Sequence, residues 1–392
     1  MNRRRIVSGV FCALLLWASG PISAPGAVNS SATPFPPNPT CAHPLAAIDR
    51  WPLRARVAQL LLIGADGHDL ATMSRLAHEQ QIGGIVIRST PMSAGALRAD
   101  LAALRLAAPI PIFAAVDEEG GRVQTLRSVV GPLPSARQLG ALAPDVVRSK
   151  IRVHGERLKS VGVDMVLAPV VDISGEGARV IGDRSFGGDP IRVAATATAY
   201  ALGVVDAGLV AVIKHFPGHG SAGGDSHAGR VVVRPLAQLE TKDLIPFRAV
   251  IDVVPVGVMV GHLEVPGLTG DTPASLSSAA MSYLRTTIGF RGLVITDSLS
   301  MGAITGRWRE PAAAAEAVVA GADMTMFVTI SERDAIGVID ALEQIVRDGR
   351  LGRRQLNGAV LRVVRAKGLD PCRIDATALV GSAAHPTVRA AA

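Results

Sequence analysis

The sequence predicts a single (β/α)8 TIM-type barrel, and three observations carry that prediction. Eight short apolar runs recur along the chain, each continuous rather than alternating, as parallel strands buried on both faces require. Longer stretches with helical spacing lie between them. The eight units fill nearly all of residues 55–370 in a chain of 392, about the length of one such barrel.

In order, the runs are Leu60–Ile63, Gly84–Ile87, Ile112–Val116, Met165–Ala168, Leu209–Ile213, Val256–Val260, Leu293–Thr296 and Met324–Val328. The clearest helical stretches are Ala96–Ala107, Arg148–Val161, Ile191–Ala207 and Ser331–Arg347. A doubly wound open sheet can be written from the same alternation, but no Gly-x-Gly-x-x-Gly turn follows the first strand. Composition agrees with one large α/β domain, since 48% of residues are apolar, 19% charged and 3% aromatic.

Residues 1–27 read as an export signal. Arg3, Arg4 and Arg5 precede an apolar stretch, Ile6 to Ala18, and then the small residues Ser23, Ala24, Gly26 and Ala27. The stretch is too short and interrupted for a membrane span, so the mature protein is expected to have none. Both the twin-arginine and the Sec route fit the leader. Residues 28–50 read as a flexible linker rich in Ser, Pro and Asn, 51–372 as the barrel domain and 373–392 as a tail. The net charge of +7 falls to +4 without the leader's three arginines. It is spread without Lys/Arg blocks or interleaved aromatics, which argues against a nucleic-acid partner. Cys41 and Cys372 flank the barrel, whose first and last units are neighbours, so an exported chain is expected to bridge them.

Chemistry concentrates at the predicted strand ends, where barrels of this class place their active sites. Histidine is scarce, nine in the chain, yet three fall between 215 and 227. They lie in Lys214-His215-Phe216-Pro217-Gly218-His219-Gly220 and the following Asp225-Ser226-His227. Asp117-Glu118-Glu119-Gly120-Gly121-Arg122 follows the third strand, Gly182-Asp183-Arg184 the fourth, His262 the sixth, and Asp297 ends the seventh. Any one of these alone reads as a solvated loop residue; five strand ends on one rim point to a site. His215 and His219 have the i, i+4 spacing of helical zinc ligands, but Pro217 and Gly218 oppose a helix and no Glu follows His215. No metal and no organic cofactor is expected.

These motifs, in this order, resemble glycoside hydrolase family 3. The resemblance spans about residues 50–370 and is carried by Asp-Glu-Glu-Gly-Gly-Arg-Val, Lys-His-Phe-Pro-Gly-His-Gly, Asp-Ser-His and Ile-Thr-Asp-Ser-Leu-Ser-Met. More narrowly, it is to the β-N-acetylglucosaminidases of peptidoglycan turnover (the NagZ type), above all their exported actinobacterial members. The resemblance implies a retaining enzyme that releases terminal N-acetylglucosamine from peptidoglycan-derived sugars, without a cofactor. Asp297 matches the family's nucleophile, and His227 with Asp225 its acid/base dyad. Asp117, Arg184, Lys214 and His215 match residues that hold the sugar. The chemistry agrees, because retaining hydrolysis needs a carboxylate to capture the anomeric carbon and a proton donor for the leaving oxygen.

Three positions depart from the family's pattern. Ser298 follows Asp297 where many relatives carry a second acid, Thr125 stands where some have Arg, and Glu118 where Gln is common. Within the family, a β-N-acetylglucosaminide phosphorylase and a β-glucosidase remain alternatives. From another class, a catalytically silent cell-wall binding protein on the same scaffold is opposed by the intact Asp297, Asp225 and His227.

Overall fold

Eight parallel strands close into a barrel in the computed structural model, which describes residues 41–66, 70–89, 93–175 and 180–379. They are β1 (Leu61–Asp66), β2 (Gly84–Ser89), β3 (Phe113–Val116), β4 (Met165–Val166), β5 (Val210–Phe216), β6 (Gly257–Val260), β7 (Val294–Ser298) and β8 (Met324–Phe327). Each pairs with its neighbours in sequence, and β1 closes on β8 through Leu61↔Thr325, Leu62↔Met326 and Ile63↔Phe327. Every residue of β3, β6 and β8 is buried, as expected of strands covered on both faces. All eight predicted runs are strands of this barrel.

The ends of the strands differ from the sequence reading in an instructive way. The β5 strand runs on through Lys214, His215 and Phe216, and β7 through Asp297 and Ser298. The apolar pattern stops where side chains begin to face a polar cavity, but the ladder does not. The β4 strand is short, but bonds to its neighbours continue past it, from Leu167 N to the Val116 carbonyl at 2.9 Å and from Val212 N to the Ala168 carbonyl at 3.2 Å. The backbone N–H of Lys214 likewise donates to the Pro169 carbonyl at 3.2 Å.

Helices cover the outside. Ser93, Asp189 and Ser331 cap the helices Ala94–Ala107, Pro190–Asp206 and Glu332–Arg347 by accepting backbone N–H groups. At the N-terminal end of the barrel, buried Asp323 accepts from Val294 N (2.8 Å), Arg285 (2.6 Å) and Arg362 (2.8 Å). That contact pins the C-terminal helix Arg353–Ala366 beneath β7, away from the site.

The expected domain limits are corrected at both ends. Residues 1–40, on which the expected export signal and most of the expected linker fall, lie outside the described residues. Residues 44–49 of the expected linker form a helix that buries Ala47 and Ile48, started by Pro44 at its first position. The tail is packed as far as Leu379, which is fully buried and whose carbonyl accepts from Gln81 Nε2 at 3.0 Å. Among the described residues, no helix is long and apolar enough to cross a membrane.

Cys41 and Cys372 form a disulfide with their Cα atoms 5.6 Å apart, tying the two ends of the barrel domain together. Bridges of this kind stabilise mainly by restricting the unfolded chain. Replacing both cysteines with serine is expected to lower the unfolding free energy by about 2–5 kcal/mol. Neither cysteine lines the active-site cavity, so kcat should be unchanged. Denaturant unfolding together with steady-state assays checks both halves of this expectation.

Candidate active site

A cavity of about 440 Å3 opens at the C-terminal end of the barrel. Six of the seven residues singled out in the sequence line it: Asp117, Arg184, Lys214, His215, His227 and Asp297. The seventh, Asp225, stands behind His227 rather than in the wall, 2.7 Å from its Nδ1.

Asp297 is the next-to-last residue of β7 and lines the cavity. Its Oδ1 accepts the Ser298 N–H at 2.8 Å, which fixes the carboxylate's orientation. Burial works to raise its pKa, but the neighbouring His215 and His262 rings, the Ser298 N–H and Lys214 outweigh it and hold the carboxyl down at about 2. Asp297 is therefore an anion at any neutral pH, as a nucleophile must be. The Ser298 hydroxyl accepts from Val328 N at 3.0 Å, so the residue in the second-acid position ties β7 to the chain just past β8.

Asp117, Glu119, Lys214 and Arg184 form one network, with Glu119 and Lys214 buried and the other two half-buried at the cavity wall. Lys214 Nζ donates to Asp117 Oδ1 at 2.6 Å and lies 2.7 Å from Glu119 Oε1. Arg184 grips both Glu119 oxygens, through Nε at 2.7 Å and Nη2 at 2.8 Å. Burial opposes the charge on Glu119, yet Lys214 and Arg184 hold its pKa at about 2. Burial likewise opposes the Lys214 charge, and Asp117 and Glu119 raise its pKa above the usual value. Both cations thus stay charged and immobile, with donors aimed where sugar hydroxyls can accept.

Glu119 is the residue the sequence reading missed. The ribbon Glu118–Gly120/Val123–Gln124 sends alternate side chains to opposite sides. Asp117 and Glu119 turn into the cavity, while Glu118 is buried on the other side, accepting from Leu126 N and lying 3.1 Å from His154 Nε2. That packing accounts for an acid at position 118. Gly120 leads into the turn at Gly121 and Arg122; it holds φ +91°, and a Cβ there would lie 2.1 Å from the Pro134 carbonyl oxygen. Glu119→Gln keeps the shape but removes the charge that fixes both cations. It is expected to lower kcat/KM about 100-fold, the usual consequence of a displaced substrate-positioning group, which steady-state kinetics will show.

Asp172 and His262 are two further supports. Fully buried Asp172 lies 2.7 Å from His215 Nδ1 and accepts the His219 N–H at 2.6 Å. Burial opposes its charge, but His215 and His219 lower its pKa, so it is a carboxylate that can only accept. His215 therefore carries its proton on Nδ1 and presents Nε2 to Arg184, 3.4 Å away. His262 spans Ser275 Oγ (2.7 Å) and the Ser298 carbonyl (2.8 Å), bracing the peptide beside Asp297. A lone aspartate after β4 gave no signal of its own in the sequence.

His215 and His219 do not sit on a helix, because β5 continues to Phe216 and a turn follows. The helical zinc-ligand spacing therefore does not apply to them.

The chain matches the model of the glycosyl hydrolase family 3 N-terminal domain over residues 52–366. The chain belongs to glycosyl hydrolase family 3. It is 42% identical over 365 residues to the β-hexosaminidase LpqI of Mycobacterium tuberculosis, covering 90% of this chain and 92% of that one. A family 3 glycosyl hydrolase of Mycobacterium smegmatis superposes with a TM-score of 0.77 at 42% identity, covering 81% of this chain and 98% of the other. A family 3 β-N-acetylglucosaminidase of Paenibacillus gives 0.78 at 31% identity, covering 86% and 65% respectively. This chain is thus a glycoside hydrolase, and its relatives place it with the β-N-acetylhexosaminidases.

Proposed function

We propose that this family 3 β-hexosaminidase is a retaining exo-β-N-acetylglucosaminidase that releases terminal N-acetylglucosamine from peptidoglycan fragments outside the cell. The observation that carries the mechanism is a half-buried, ionised carboxylate, Asp297, sharing one cavity with a carboxylate-backed imidazole, His227. Asp225 accepts from Nδ1 of His227, which leaves Nε2 to face the substrate.

In the first step an Asp297 oxygen bonds to the anomeric carbon as the glycosidic bond breaks, and the departing oxygen takes the proton from His227 Nε2. In the second, Nε2 takes a proton from water, whose oxygen attacks the anomeric carbon and frees Asp297. Asp117, Arg184, Lys214 and His215 hold the sugar in register through both steps. Water is expected as the acceptor rather than phosphate. The peptidoglycan substrate rests on the resemblance of the four motifs, and export on the arginine-led apolar leader.

The test is an assay of the mature protein on matched nitrophenyl β-N-acetylglucosaminide and β-glucoside, with GlcNAc-MurNAc fragments alongside and with or without phosphate. The reading predicts strong preference for the acetamido sugar and release of free sugar. Preference for the glucoside, or a sugar phosphate as product, contradicts it.

A further inference from the structure

Asp225 and His227 lie on the loop between β5 and the small strand Val231–Val232, with side chains 46% and 69% exposed. Ser226, between them, is 2% exposed. The loop tip is therefore held from below at one residue while its neighbours rise to the rim. Two ties hold it. On one side, Ser226 Oγ lies 3.2 Å from His219 Nε2, and the His219 backbone is fixed by Asp172, the carboxylate that also orients His215. On the other, the N–H groups of Gly302 and Ala303 donate to the carbonyls of His227 and Ser226, both at 3.1 Å. Gly302 belongs to the segment that follows Asp297 and lines the cavity through Ser300 and Met301.

We propose that Gly302 is a positioning residue for His227, through which the segment behind the nucleophile sets the place of the acid/base. A Cβ at 302 would lie 2.6 Å from the His227 carbonyl oxygen and 3.0 Å from Ala228 C and O. Those are backbone atoms, so the loop itself has to move. Gly302 is not among the glycines with positive φ, and it opens a short helix in which alanine is intrinsically preferred. Backbone conformation thus gives no reason for glycine here; the close approach of the His227 carbonyl does. The proposal rests on His227 being the acid/base, and the experiment separates the two ideas.

Gly302→Ala and Ser226→Ala are compared with wild type and His227→Ala on nitrophenyl β-N-acetylglucosaminide and on chitobiose, with thermal unfolding of each. Displacing the loop weakens proton donation and leaves Asp297 in place. Gly302→Ala should therefore lose at least about tenfold on chitobiose relative to the nitrophenyl substrate, a part of the roughly 10²–10⁴-fold that a general acid supplies. Its first-turnover rate of nitrophenol release should stay within about threefold of wild type, because nitrophenolate leaves without a donor. Ser226→Ala, which keeps every backbone bond and loses only the His219 tie, should show the same selectivity more weakly. A folded Gly302→Ala with equal losses on both substrates, or none, overturns the proposal. Should Gly302→Ala not fold, Ser226→Ala decides, and absence of selective loss overturns it. If His227→Ala itself lacks the selectivity, the acid/base assignment falls, and this proposal with it.

Discussion

Asp297→Asn should abolish turnover while leaving the fold and sugar binding in place. The amide fills the same volume at the end of β7 and can still accept the Ser298 N–H. It cannot bond to the anomeric carbon, so the glycosyl-enzyme does not form. The loss should approach the full contribution of the covalent route, on the order of 10⁴-fold or more in kcat. Calorimetric titration with N-acetylglucosamine checks that the sugar still binds, since the residues proposed to hold it, Asp117, Arg184, Lys214 and His215, are untouched. A variant that binds sugar and turns over at a tenth of the wild-type rate would remove Asp297 from the nucleophile's role.

His227→Ala should divide substrates by leaving group. A nitrophenolate departs without protonation, so glycosyl-enzyme formation on Asp297 survives with that substrate. Chitobiose and muramoyl fragments leave as alkoxides and should lose about 10²–10⁴-fold. Water attack slows as well, because the same imidazole is then the missing base, and the variant should show a burst of nitrophenol followed by slow release. Asp225→Ala should give a weaker form of the same behaviour. The imidazole remains, but without the Oδ1 that accepts from both its Nδ1 (2.7 Å) and its backbone N–H (3.0 Å). Equal losses on both substrate types, without a burst, would return His227 to the status of a loop histidine.

The barrel was legible because its strands are buried on both faces, and continuous apolar runs are what such burial leaves in a sequence. Their polar ends were not, because Lys214, His215 and Asp297 break the apolar pattern while remaining in the ladder. The site residues were legible as a constellation at strand ends and through the family resemblance. Their supports were harder to see. Glu119 was within reach, since strand alternation puts it on the side of Asp117 and Glu118 on the other. Asp172 was not, because its partners His215 and His219 lie beyond the next helix in sequence and meet it only when β4 and β5 pair. Closure of the barrel did make the Cys41–Cys372 bridge predictable, and the structure contains it. The helix at Pro44–Asp49 was hidden in a segment whose Pro and Ser content reads as linker until Ile48 is seen to be buried.

The central claim is that Asp297 forms a covalent bond to the sugar, and trapping that bond tests it most directly. The mature protein is incubated with a 5-fluoro N-acetylglucosaminyl fluoride, which forms the glycosyl-enzyme quickly and releases it slowly, and is then digested and mapped by mass spectrometry. One sugar per chain, on the peptide containing Ile295-Thr296-Asp297-Ser298, is the expected result, with faster release once natural acceptors are added. A label on Asp225, or no covalent adduct from a protein that hydrolyses the natural glycoside, would contradict it.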